Sequence, residues 1–258
     1  MALAWPAGAH TAAAAGRGPI AAVAASGGRS LPRGQDGRSA VAGGTSRDFA
    51  RTPLRSAALS GLSCLGDADA IFHRLYGQLR ELGWLGRNTM VVIVGDGAEW
   101  IWKRAAWFIH RCEILDFWHA LEHAWEFAHL RFGEGSTQAD QWVHQIGVDL
   151  KAGQVEQVIA RLKRLRPKSP QVRASLDSLI RYYSENASRM QYDTYLRLGY
   201  GIGSGAVESA HKQVVHARLR QAGMRWSEAG ARRLLALRLL LLNNNWALLD
   251  RLTMASNA

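Results

Sequence analysis

The feature that most constrains this chain is Met90-Val91-Val92-Ile93-Val94, an unbroken apolar and mostly β-branched run that ends at Gly95-Asp96-Gly97. Successive side chains of a strand point to opposite faces, so a strand with no polar member must be covered on both sides. The residues around it supply the cover. Asp67 can cap a helix running to about Leu82, with Ile71, Leu75, Leu79 and Leu82 at spacings of three and four. A Trp-rich helix is expected from Ala98 to about His110, and Cys112 to Asp116 reads as a second short strand. Helix, strand, helix and strand of these lengths predict a parallel α/β sheet.

Beyond Phe117 the strand signals stop. Helical periods cover about 117–131, 137–151, 154–165, 170–187 and 189–198, punctuated by Gly133, Gly135, Gly153, Pro167 and Pro170. A glycine-rich turn, Gly199 to Gly205, separates this block from helices expected near 206–220, 227–242 and 245–254. Residues 1 to 57 differ from all of this. Ala, Gly, Arg, Ser and Pro dominate, and no stretch holds a helical or strand period long enough to bury a face, so a disordered leader is expected. The same composition is what a GC-rich gene yields when read in a shifted frame. The domain reading is therefore a leader over 1–57 and one catalytic-type domain over 58–258.

The formal net charge of +11 is unevenly spread. Residues 56 to 160 hold eight Lys/Arg against thirteen Asp/Glu, whereas residues 161 to 173 hold six basic residues and no acid. An acidic centre beside basic tracts suits a protein that holds divalent cations and grips a polyanion, although solvated helix faces give the same pattern. Lys163, Arg164, Lys168, His211, Lys212, Arg218, Arg220 and Arg225 are the candidate DNA contacts. Cys64 and Cys112 are too few for a disulfide framework, which fits a reducing cytosol. The longest apolar run, Leu234 to Leu242, is broken by Arg238 and is far short of the ~20 residues a membrane span needs.

Four groups of side chains could carry chemistry. Asp96 stands where a buried strand meets a turn, the position at which ligands gather in open α/β sheets, although Asp also simply suits a turn. Glu208 falls in the first turn of a helix after Gly201-Ile202-Gly203-Ser204-Gly205, where the helix dipole favours an acid whatever its role. Asp116, His119, Glu122 and His123 have spacings that could hold zinc, with the two His residues on one helical face; such histidines are more often packed or hydrogen-bonded to backbone, and a role in ordering the helix or contacting DNA is the stronger expectation. Trp100, Trp102, Trp107, Trp118 and Trp125 serve core packing, and exposed members could stack on unpaired bases.

Three strings then act together. Val92-Ile93-Val94-Gly95-Asp96-Gly97-Ala98-Glu99-Trp100-Ile101-Trp102, Ile114-Leu115-Asp116-Phe117-Trp118-His119-Ala120 and Gly201-Ile202-Gly203-Ser204-Gly205-Ala206-Val207-Glu208-Ser209 resemble, in order and spacing, DDE-type insertion-sequence transposases of the ISKra group, which look related to Mutator-like elements. The similarity covers roughly residues 58 to 258 and continues through Met224-Arg225-Trp226-Ser227.

The resemblance implies an RNase H-like catalytic domain with a helical insertion at about 120–198. It makes Asp96 the second catalytic Asp and Glu208 the catalytic Glu, both metal ligands, with Asp116 and His119 forming the Asp-x-x-His signature. It further implies DNA as substrate, Mg²⁺ (or Mn²⁺) as cofactor, a homo-oligomeric transposition complex, and a cytoplasmic, nucleoid-associated location. Two ions ~3.5–4 Å apart would stabilise both the attacking and the leaving oxygen of a DNA phosphodiester. The sequence departs from the family at the first Asp, which belongs on an upstream strand. Asp36 is the only early Asp-Gly pair and has no strand beside it. The chain thus looks like the C-terminal part of a transposase behind an unrelated leader, with cleavage impaired. Two alternatives stand beside this: a non-catalytic DNA-binding remnant, and a metal-dependent hydrolase using Asp116, His119 and His123.

Overall fold

The computed structural model describes residues 2–7, 20–25 and 60–62 by their backbone, and residues 67–87, 89–205, 215, 219, 222–249 and 251 with their side chains. Five strands, β1 (Ala2–Ala7), β2 (Ile20–Ala25), β3 (Ser60–Leu62), β4 (Met90–Gly95) and β5 (Arg111–Leu115), form one sheet in the order β3-β1-β2-β4-β5. β1 is antiparallel to β2 and β3, while β2, β4 and β5 run in one direction. Most of the remaining described residues are helical, so the class is α/β, as the sequence predicts.

β1 and β2 fall within the segment expected to be a disordered leader. Alanine-rich runs have little strand preference of their own, which is why neither strand shows in the sequence. Pairing supplies what propensity lacks. A lone β4–β5 pair would leave one edge of the buried β4 with unmatched N–H and C=O groups. β2 pairs with that edge from Ile20 opposite Met90 to Ala25 opposite Gly95, and β1 pairs with β2 in turn.

β4 is buried on both faces from Val91 to Val94. Helix α1 (Ala68–Glu81) starts where Asp67 accepts a 2.8 Å hydrogen bond from the Ala70 amide. It buries Phe72, Leu75 and Leu79, whereas Leu82, expected on that face, lies past the last turn and is exposed. Helix α2 (Glu99–Ala105) is shorter than its Trp-rich pattern suggests. The amides of Trp107 and Phe108 bond three residues back, to Arg104 and Ala105, which tightens the last turn and drives Phe108 into the core. The chain must be back at the sheet by Arg111, and the His110 carbonyl already accepts from the Val91 amide at 2.8 Å.

The helical block consists of α3 (Phe117–Phe132), α4 (Thr137–Lys151), α5 (Val155–Arg164), α6 (Pro170–Asn186), a 3-10 turn at Ala187–Arg189 and α7 (Tyr192–Arg197). These bounds match the periods read from the sequence within a few residues. Ala120, Ala124 and Ala128 keep one face of α3 thin, and from α6 the buried Tyr183 hydroxyl reaches the Ala120 carbonyl at 2.9 Å. A brace joins block to sheet. Arg189 donates to Glu113 on β5 at 2.8 Å, and its guanidinium stacks 4.5 Å from the Trp102 ring centroid. The Glu113 carboxyl feels burial, which alone would raise its pKa, but hydrogen bonds from Arg111 and Arg189 outweigh this and hold it below the usual value.

Helix α8 (Glu228–Leu242) begins at Ser227, whose hydroxyl accepts from the Gly230 amide at 3.1 Å. The helix expected at 206–220 lies almost wholly outside the described residues, and that expected at 245–254 in part. Among the described residues no helix is long and apolar enough to cross a membrane.

Candidate functional site at the carboxyl ends of β4 and β5

The parallel register sets Gly95 beside Leu115, so the next residues, Asp96 and Asp116, leave the sheet side by side. The Asp116 amide donates to the Gly95 carbonyl at 2.7 Å. From this shared edge the two carboxyl groups enter different surroundings.

Asp116 is 2% exposed. One carboxyl oxygen caps α3, accepting from the amides of Trp118 at 2.8 Å and His119 at 3.3 Å. The other accepts from the Ser204 amide at 2.8 Å and from the Ser204 hydroxyl. The adjacent Phe117 amide donates to the Ile202 carbonyl at 2.8 Å. Asp116 therefore fastens the glycine-rich turn, 88 residues further along the chain, to the first turn of α3. The close approach depends on Gly203, because a Cβ there would lie 3.0 Å from the Trp118 ring. Across the Phe117 and Trp118 rings lies Lys151, its Nζ 4.7 and 5.9 Å from their centroids, with burial lowering its pKa.

Asp96 is half-buried. One of its carboxyl oxygens accepts from the Ala98 amide at 3.1 Å, and its own carbonyl accepts from the Tyr182 hydroxyl at 3.1 Å. Gly97 follows with φ of +89°, and a Cβ there would sit 2.8 Å from that hydroxyl. Tyr182 also lies 4.0 Å, ring to ring, from His123. The turn carrying Asp96 is thus held from outside the sheet by a residue of α6. Neither Tyr182 nor Ser204 was singled out by sequence reasoning. Ser204 is the one hydroxyl within the turn Gly201 to Gly205, a signal that could have been read; Tyr182 has none.

Among the described residues the zinc and hydrolase readings of Asp116, His119 and His123 gain no support. The oxygens of Asp116 are turned to four donors, His119 pairs with Glu122 at 2.9 Å, and His123 with Glu126 at 3.4 Å. Among the described residues no group of three His, Cys, Asp or Glu side chains is placed to hold a metal ion. Glu208 lies outside the described residues, as do Asp36, His211, Lys212, Arg218 and Arg220. The described side chains by themselves do not form a two-ion centre. Burial, with Glu113 adding to it, pushes the Cys112 thiol up to about 11.

The basic tract divides into two kinds of residue. Arg161 pairs with the buried Asp149, and Arg166 and Arg173 donate to the carbonyls of Lys163, Leu165 and Pro167. Lys163, Arg164 and Lys168 are exposed around the end of α5, and Arg225 is exposed before α8. Of the five tryptophans singled out in the sequence, Trp102 is buried and Trp100 and Trp125 partly so, while Trp107 and Trp118 are exposed. No family model matches this chain, and neither a search of curated proteins nor one of solved structures finds a similar protein.

Proposed function

We propose that this chain derives from the RNase H-like catalytic domain of an ISKra-type DDE transposase, that it binds DNA, and that its DNA cleavage and strand transfer are impaired. The observation carrying this reading is the pinning of Ser204 to Asp116, next to Asp96. Four residues after Ser204 comes Glu208, so the turn that leads into the Glu begins at the sheet edge where Asp96 ends its strand. In this reading Asp116 and His119 act as positioning residues rather than ligands, and the Asp-x-x-His signature joins the two halves of the site. Exposed Lys163, Arg164, Lys168 and Arg225 contact phosphate without sequence preference. The ions expected with the family are Mg²⁺ or Mn²⁺, which supply charge stabilisation at the phosphodiester when bound. In the intact enzyme several copies assemble on paired DNA ends at the nucleoid.

One observation favours the second reading, a non-catalytic DNA-binding remnant. The strand beside β4, Ile20–Ala25, and its neighbours Ala2–Ala7 and Ser60–Leu62 contain no acidic residue, so the first Asp of such a site is not supplied there.

Electrophoretic and nicking assays on duplex DNA with Mg²⁺ or Mn²⁺ test both readings. Salt-sensitive duplex binding with little or no nicking is expected, and Asp96→Asn with Glu208→Gln should leave binding unchanged. A clean Mg²⁺-dependent nick abolished by those substitutions would overturn the impairment. Absence of duplex binding at low salt would overturn the DNA reading altogether.

A further inference from the structure

At the opposite end of the same strands lies a cavity of about 410 Å³, lined by Tyr76, Arg80, Arg87, Trp107, Ile109 and His110 around Thr89 and Val91. β4 is six residues long, so the cavity is displaced from Asp96 by ~20 Å along the sheet. Its volume is within the range of ~300–1,000 Å³ typical of pockets that accept a small molecule or a comparable group.

The lining has a definite chemistry. Arg80 lies in the last turn of α1, Arg87 lies in the loop before β4, and His110 precedes β5; no carboxyl group is among the described lining residues. Two aromatic rings are part-open beside these basic side chains, Tyr76 at 39% and Trp107 at 38% exposure, while Ile109 stands 88% exposed at the rim. Their other sides are supported: Trp107 packs on His73 and Phe72, with centroids at 4.6 and 6.1 Å, and Tyr76 on Phe108 at 5.9 Å. The floor is set by Thr89, 4% exposed, whose hydroxyl accepts from the Gly86 amide at 2.8 Å.

Exposed, supported rings beside paired guanidinium groups match a polyanion whose flat groups are available for stacking. A duplex offers phosphates but keeps its bases stacked within, whereas a single strand presents both. An acidic peptide would use the arginines and leave the rings without a partner. We propose that this groove binds single-stranded nucleic acid, with phosphate on Arg80 and Arg87 and a base against Trp107. The proposal extends the DNA-binding reading but stands on different residues, so either can fail alone.

The test is fluorescence anisotropy of the full chain with a labelled oligothymidylate, titrated with salt. Arg80→Glu with Arg87→Glu should weaken binding at least tenfold and lower the slope of log affinity against log salt by about 1.4, at ~0.7 per single-strand phosphate. Trp107→Ala should weaken binding roughly five- to 150-fold, the range of one stacked base. Circular dichroism checks that each variant is folded, and Trp107→Phe, which keeps a ring, should retain most of the affinity if the alanine variant unfolds. Unchanged affinity and slope in the arginine variant would overturn the proposal. So would a duplex of the same length competing as well as the single strand, and so would loss of binding in the Lys163→Glu, Lys168→Glu variant alone.

Discussion

Replacing Asp116 by alanine removes an acceptor of four hydrogen bonds at one stroke, and the structure says how that loss divides. The cap of α3 goes first, at ~1 kcal/mol for an N-cap Asp changed to Ala. The Ser204 amide is then left without its partner in a place that is 5% exposed; an unsatisfied buried donor costs ~1–3 kcal/mol. The Ser204 hydroxyl can rotate to another acceptor and adds less. The sum is ~3 kcal/mol, which for a folded unit of this size lowers Tm by ~6–12 °C at ~2–4 °C per kcal/mol. Ser204→Ala keeps the amide bond and should cost only ~1 kcal/mol. Urea unfolding of both single variants and the double variant measures their coupling, expected at ~0.5–3 kcal/mol for residues in one network. A loss below ~1 kcal/mol for Asp116→Ala, or strict additivity, would refute the view that this carboxyl group holds the turn to the helix.

Two further outcomes follow from the same region. Glu113 has its pKa held below the ordinary 4.5 in the folded chain, so its contribution to stability is complete above that value and fades as pH falls through the lower, folded pKa. The urea midpoint should therefore drop on acidification below about pH 4.5 and drop less in Glu113→Gln; an identical pH profile for the two proteins would remove Glu113 from the brace. Gly97→Ala forces an L-residue into φ of +89° and sets its Cβ against the Tyr182 hydroxyl, at a cost of at least ~1–2 kcal/mol by thermal unfolding. Adding Tyr182→Phe should recover part of that loss, and no recovery would mean that the contact with the Tyr182 hydroxyl is not responsible.

The elements legible in the sequence are those with a strong local period. β4 could be recognised because nothing polar interrupts it, and α3 to α6 because their apolar positions repeat with the helical turn. β1 and β2 were not legible, since alanine runs become strands here only through an edge that another segment provides. The end of α2 was misplaced because Trp107 and Phe108 continue an apolar pattern while the backbone is already turning back. At the site, Asp96 was legible from its place after a buried strand. The use of Asp116 was not, because an Asp-x-x-His spacing suits a metal as well as a helix cap, and the deciding partner, Ser204, is far away in sequence. The basic run 161 to 173 likewise reads as uniform, yet Arg161 is tied to the buried Asp149 and Lys163 is not.

The hydrogen bonds from Phe117 to Ile202 and from Ser204 to Asp116 have a topological consequence. The long helical excursion departs from and returns to a single point, so its two ends are stitched together at the mouth. A unit anchored in this way behaves as a cassette: its size can change while the stitched ends keep the strands in place. Exchange for a smaller helical hairpin should be tolerated if the newcomer also supplies a cation for Glu113 and hydroxyls for the Asp96 and Glu113 carbonyls, lateral ties now made by Arg189, Tyr182 and Tyr195.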